Sequence, residues 1–152
     1  MQAKESQPIL LSIITPTYNR ASMIEQAVES VLRQDYQPVE HLIIDGGSND
    51  GTTDILAEYP HLRVISEPDE GVFDAMRKGI LMSNGTILGF LNSDDFYAPN
   101  VFSAVMDLFD QNPDLMAVSG GATVITHNDD IEQSCQYFPP VNPDDIYNRT
   151  TL

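Results

Sequence analysis

The sequence predicts an α/β fold, a mainly parallel sheet with helices on both faces, and three observations carry it. Short apolar runs alternate with segments of helical period in repeated units of roughly 25–35 residues, the pattern of right-handed strand–helix–strand crossovers. The runs are continuous rather than alternating, as in strands covered on both faces. Polar clusters follow the runs at their carboxyl ends, where the ligand crevice of such sheets lies.

The elements follow in order. Residues 9–15 (ILLSIIT) form a first strand that Pro16 is expected to end. Ser22 and Glu25 have capping-box spacing, and Ile24, Ala27, Val28, Val31 and Leu32 then recur at i, i+3, i+4, i+7 and i+8, giving a first helix. Residues 39–44 are a second strand ending at Asp45. Gly46-Gly47-Ser48 turns the chain, and a short helix over 52–59 stops at Pro60. Residues 62–66 make a third strand and 67–71 a polar loop. Val72, Ala75, Met76, Gly79 and Ile80 line a third helix, Asn84-Gly85 turns, and 86–91 make a fourth strand that runs into Asn92-Ser93-Asp94-Asp95. A fourth helix is expected over about residues 100–111, with Val101, Val105, Leu108 and Phe109 on one face. A fifth strand is expected over 115–126, bent at Gly120-Gly121, then a turn over 127–130. Residues 136–142 have no period, and 142–148 could begin another helix.

Composition excludes several classes of function. The 152 residues suit one domain with one real core, and 41 % of them are hydrophobic, too many for a disordered chain. Acidic residues number 23 against 7 basic ones, a formal net charge of −16. Such a surface repels phosphate backbones, so nucleic acid is not an expected partner. The acids are spread along the chain, which fits a solvated acidic surface, while a few carboxylates in the middle segment could form a cation site. Cys135 is the only cysteine, so no intrachain disulfide or cysteine-rich zinc site can form. His41, His61 and His127 have no ligand-like spacing. The apolar runs fall far short of the ~20 residues of a membrane span, and residues 1–8 lack the features of a signal peptide. A soluble protein of a reducing compartment is expected.

The chemistry gathers at the strand ends. Asp94 and Asp95 are adjacent carboxylates that repel one another unless a cation or hydrogen bonds compensate. Such hard oxygen ligands suit Mg²⁺ or Mn²⁺, which take one or two protein carboxylates plus substrate phosphates; the same pair could equally cap a turn. The glycines after Asp45 permit a tight turn and close approach of a ligand, Asp45 could accept a nucleobase N–H, and Asp50 could cap the next helix; an ordinary strand–helix loop would look the same. Tyr18 could stack on a base while Asn19 shapes the turn, or it could be a partly buried structural tyrosine. Arg77 and Lys78 could neutralise phosphate or form a solvated face. No strand is followed by G-x-G-x-x-G, and no phosphate loop ends in Gly-Lys-Ser or Gly-Lys-Thr.

Four strings occur in order: Ser12-Ile-Ile-Thr-Pro-Thr-Tyr-Asn-Arg20, Ile43-Ile-Asp-Gly-Gly-Ser-Asn-Asp-Gly-Thr52, Glu67-Pro-Asp-Glu-Gly-Val-Phe-Asp-Ala-Met76 and Leu91-Asn-Ser-Asp-Asp-Phe-Tyr97. Together they closely resemble the family 2 glycosyltransferases, whose fold is GT-A, over residues 8–126. The resemblance implies a GT-A nucleotide-sugar-binding domain at 8–126 and the incomplete start of an acceptor-side region at 127–152. It implies transfer of a sugar from a nucleoside-diphosphate donor, usually a UDP-sugar, to a sugar or lipid-linked acceptor hydroxyl with inversion, during polysaccharide or glycoconjugate synthesis. The implied location is cytoplasmic, extending to the inner face of the membrane.

Residue by residue, Pro16, Thr17, Tyr18 and Asn19 match the segment that lines the nucleobase pocket. Asp45 matches the aspartate that binds the base. Asp74 falls in the third string as a donor-side residue. Asp94 and Asp95 look like the DXD motif, Asp94 near the ribose and Asp95 on the Mn²⁺ or Mg²⁺. Arg77 stands where many relatives have Asn. The general base of the family lies downstream, and Asp129, Asp130, Asp144 and Asp145 give no convincing match. The chain is therefore expected to be the donor-binding part of a longer enzyme, or a donor-binding domain without transfer. A nucleotidyltransferase would want a basic glycine-rich loop after the first strand, where Pro16–Ala21 stands instead. A receiver domain would want acids where Thr15 and Pro16 stand.

Overall fold

The computed structural model describes residues 8–128 and 131–138. It forms two compact units, Met1–Ser103 and Ala104–Leu152. In chain order the first unit carries β1 (Leu11–Thr17), α1 (Ile24–Leu32), β2 (Val39–Asp45), α2 (Thr52–Leu56), β3 (Arg63–Ser66), α3 (Val72–Met82) and β4 (Ile87–Phe90). Helix α4 (Phe102–Gln111) begins at its end. The second unit carries the rest of α4, then β5 (Ala122–Asn128) and β6 (Ile131–Phe138).

The four strands β1–β4 make one sheet in the order β3-β2-β1-β4, and every pairing in it is parallel. All residues of the central strand β1 are buried. Because side chains alternate along a strand, neighbouring isoleucines of β2 serve opposite faces. Ile43 packs with Ile24 and Val28 of α1 and Leu56 of α2, whereas Ile44 packs with Ile14 of β1 and Ala75 of α3. Helices therefore cover both faces, α1 and α2 on one and α3 on the other. Gly79 lets α3 approach closely: a Cβ there would lie 2.4 Å from Ile14 Cγ2.

The strand order creates the functional geometry. From β1 the chain steps outward to β2 and β3, and α3 then returns it to the other side of β1 to form β4. β1 and β4 are thus neighbours although β2 and β3 lie between them in the chain, and the crevice of such sheets opens beyond the carboxyl ends of a pair where the strand order reverses.

Several local expectations are corrected. Pro16 does not end β1, which runs on to Thr17. Thr17 O accepts from Gly46 N on the β2 side, and Ile14 O accepts from Leu91 N on the β4 side. By alternation Pro16 presents its missing N–H toward β4, whose ladder stops at Ile14–Phe90, so no bond is lost. The Ser22–Glu25 capping box does not form, since α1 begins at Ile24 without a side-chain cap. Its entry is tied instead across loops, with Arg20 N–H donating to Thr52 Oγ1 and Ala21 N–H to Asp50 Oδ2. On α4 the buried residues are Phe102 and Met106, and Leu108 is exposed.

The fifth strand begins at Ala122 rather than 115, and it is not part of the parallel sheet. It pairs antiparallel with β6, a strand that the sequence reading did not include. The helix start expected over 142–148 lies outside the described residues. Among the described residues no helix is long and apolar enough to cross a membrane.

Candidate donor-binding site

The crevice is a cleft of about 490 Å³ within the first unit. Pro16, Thr17, Tyr18 and Arg20 line it from β1 and the loop beyond, and Asn92, Ser93 and Asp94 from the loop after β4. Asp69, Gly71, Val72 and Ala75 close it from the β3–α3 loop and the first turn of α3. Gly71 stands at φ 109°, a conformation that a side chain disfavours, and this lets the chain turn straight into α3 beside the cleft.

Thr17 is buried, and its Oγ1 has no hydrogen-bond partner among the described residues. Tyr18 is 57 % exposed beside the cleft. Asn19 plays another part at φ 50°. Its N–H donates to Ser48 Oγ at 2.8 Å and its Oδ1 accepts Asn49 N–H at 2.9 Å, which staples the β1–α1 loop to the β2–α2 loop.

Asp45 ends β2 fully buried. Its Oδ1 accepts the Ser48 hydroxyl, and its Oδ2 accepts Ser48 N–H at 3.0 Å and the Ser66 hydroxyl at 2.6 Å. Asp50 is not the N-cap of α2, which is Gly51, but from the position before it its Oδ1 accepts Thr52 N–H at 3.0 Å. The Thr52 hydroxyl, with the Ala21 N–H, holds this carboxyl below its ordinary pKa.

The loop after β4 is braced from behind. Asp95 N–H donates to Asn92 O at 3.1 Å, Tyr97 N–H to Ser30 Oγ at 3.1 Å, and the Tyr97 hydroxyl to Phe90 O at 2.9 Å. Burial pushes that hydroxyl's pKa up to about 12, so Tyr97 stays a neutral donor. The two acids themselves remain exposed. Asp94 lines the cleft with Arg20 Nε 3.8 Å away, and Asp95 stands beside it with Oδ2 accepting Asn92 Nδ2–H at 3.0 Å.

Asp74 sits in the first turn of α3 and does not line the cleft. It pairs with Lys78 at 3.3 Å and Arg77 at 3.5 Å, and Lys78 also reaches Glu67 at 3.0 Å. Partial desolvation would raise the Asp74 pKa, but the Lys78 ammonium, the Glu70 N–H and Arg77 outweigh it and leave the carboxyl low.

The structure thus brings Pro16, Thr17, Tyr18 and Asp94 together around one cleft. It sets Asp95 at the rim, Asp45 and Asn19 in the supporting loops, and Asp74 in an ion-pair network. Sequence reasoning missed Arg20 and Asp69. Both were findable: Arg20 is a cation in a chain with few of them, and Asp69 follows the end of a strand.

An all-parallel sheet with its crevice at the switch between β1 and β4, lined by the carboxylates of Asp69 and Asp94, is an α/β fold of GT-A type. A solved mannosyltransferase, PcManGT from Pyrobaculum calidifontis, in complex with GDP-Man and Mn²⁺, matches 72 % of this chain and 34 % of its own, at TM-score 0.64 and 26 % identity. Residues 1–349 of TarS from S. aureus match 72 % of this chain and 36 % of theirs, at TM-score 0.64 and 24 % identity, a likeness of fold.

The chain belongs to glycosyl transferase family 2, whose family model matches residues 12–150. A chondroitin synthase of Escherichia coli is 35 % identical over 113 residues, 72 % of this chain and 16 % of that protein. The chain spans between 16 % and 43 % of the length of the first curated relatives it matches.

Proposed function

We propose that the cleft binds a nucleoside-diphosphate sugar together with a divalent cation, and that the sugar passes to an acceptor hydroxyl with inversion. The carrying observation is the single cleft at the carboxyl ends of β1 and β4, lined together by Thr17, Tyr18, Arg20 and Asp94. PcManGT, at 26 % identity, holds GDP-Man with Mn²⁺, which supports the class of donor.

Asp94 and Asp95 fit Mn²⁺ or Mg²⁺ as a donor set. Both are exposed hard-oxygen ligands, and such ions take one or two carboxylates and complete their shell with water and substrate phosphates. Among the described residues no group of three or more His, Cys, Asp or Glu side chains is placed to hold an ion unaided. When bound, the cation offsets charge developing on the departing diphosphate.

The chain's own residues orient the donor. Tyr18 offers its exposed side chain to the base, and Asp94 a carboxylate at the ribose end. Arg20 contributes a cation in the same cleft. The acceptor oxygen attacks the anomeric carbon opposite the diphosphate, the carbon–oxygen bond to the diphosphate breaks, and the acceptor proton passes to a downstream carboxylate. The candidates Asp129, Asp130, Asp144 and Asp145 lie outside the described residues. A sugar or lipid-linked acceptor in polysaccharide or glycoconjugate assembly, at the cytoplasmic face of a membrane, fits this chemistry.

Calorimetry with UDP and GDP, with and without Mn²⁺, tests the reading. Binding that needs Mn²⁺ and weakens in Asp95→Ala is expected. Unchanged affinity in Asp95→Ala overturns the metal assignment, and no binding of either nucleotide overturns the donor cleft.

A further inference from the structure

The acid expected to read the base, Asp45, does not face the cleft, whereas Asp69 does. A carboxylate has about four lone-pair sites. Asp45 uses three of them on Ser48 and Ser66, is fully buried, and does not line the cleft.

The next residue, Gly46, has no side chain, and the Asp69 carboxylate occupies the room that absence leaves. A Cβ on Gly46 would lie 2.9 Å from Asp69 Oδ2, 3.2 Å from its Cγ and 3.3 Å from its Oδ1. Asp69 lines the cleft and is half-buried. Its orientation is fixed, because Oδ1 accepts Gly71 N–H at 2.8 Å. Its Oδ2 has no hydrogen-bond partner among the described residues. The carboxylate is therefore pre-positioned at the end of β2 by the β3–α3 loop, with one oxygen free.

Resting on the donor-cleft reading above, we propose that Asp69 is the residue that selects the donor's nucleobase, through a ring N–H donated to Oδ2. Uracil N3–H and guanine N1–H supply such a donor. Adenine presents a lone pair at its N1, which the carboxylate repels, so specificity arises from a mismatch as well as a match. Asp45 is then a positioning residue: it holds Ser48 and Ser66, and Ser48 in turn holds Asn19.

Titration calorimetry of the full chain with Mn²⁺ tests this, using UDP, GDP, their ring-N-methylated forms and ADP. The unsubstituted chain is expected to bind UDP or GDP at least about tenfold more tightly than the N-methyl form or ADP. Asp69→Ala should weaken the preferred nucleotide by about 10- to 100-fold and erase the discrimination, since a hydrogen bond to a charged acceptor is lost. Asp69→Asn, which keeps the shape, should fall in the same direction. So should Gly46→Ala, whose methyl takes the carboxylate's place. Discrimination is the decisive readout, because a merely structural role would lower all affinities alike. If the unsubstituted chain binds UDP or GDP while folded Asp69→Ala and Asp69→Asn keep both affinity and discrimination, this proposal alone is overturned. If the unsubstituted chain binds neither, the donor cleft falls and this proposal with it.

Discussion

His41 makes the stability of the sheet beneath the cleft sensitive to acid. It is 2 % exposed on β2, and its Nε2 lies 2.9 Å from Thr15 Oγ1. Its Nδ1 has no partner among the described residues. Burial first, and then the charge of His61, depress its pKa from 6.5 to about 3. Below pH 6.5 the unfolded chain takes up a proton that the folded chain refuses until near pH 3, so stability falls with pH across that window. At pH 5 the unfolded histidine is protonated by 1.5 pH units, and at 1.36 kcal/mol per unit the loss is about 2 kcal/mol. The figure requires only that the folded pKa lie below 5. Urea unfolding at pH 7.5 and pH 5 measures it against His41→Gln, which cannot titrate. Any packing cost of the substitution is common to both pH values, as are the other titrating groups. The original chain should lose about 2 kcal/mol more than the variant between the two conditions. Parallel losses would refute a neutral, buried His41.

Two further outcomes follow from the same geometry. Gly79→Ala gains about 1 kcal/mol of helix propensity but drives a methyl into Ile14, which is fully buried in β1, at an overpacking cost of about 1–3 kcal/mol, so Tm should fall; calorimetry giving an unchanged or higher Tm counts against the close α3–β1 packing. Tyr18→Ala should weaken nucleoside-diphosphate binding by about 1–3 kcal/mol while Tyr18→Phe binds normally, and equal losses would assign the contribution to the hydroxyl rather than the ring.

The parallel α/β class, the strands β1–β4, the helices α1–α4 and the clustering of polar residues at strand ends were legible in the sequence, because hydrophobic period and turn chemistry are local properties. The family resemblance was legible for the same reason, since its four strings are contiguous. Contacts between loops were not. The Ser22–Glu25 spacing promised a cap, yet Asp50 and Thr52, about thirty positions along, tie the entry of α1. Pro16 reads locally as a strand breaker, and only the strand order reveals that its missing N–H faces a ladder that has already ended. Asp45 and Asp69 carry the sharpest contrast. Both are acids after strands, and sequence gives preference to the one in the more familiar string. Which carboxylate is consumed inside and which faces the cleft depends on Ser48, Ser66 and the bare Cα of Gly46, brought together from the β2–α2 loop and the end of β3. Sequence determined where the acids stand along the chain, and tertiary structure decided which of them is free, because burial and hydrogen-bond saturation are properties of neighbours in space.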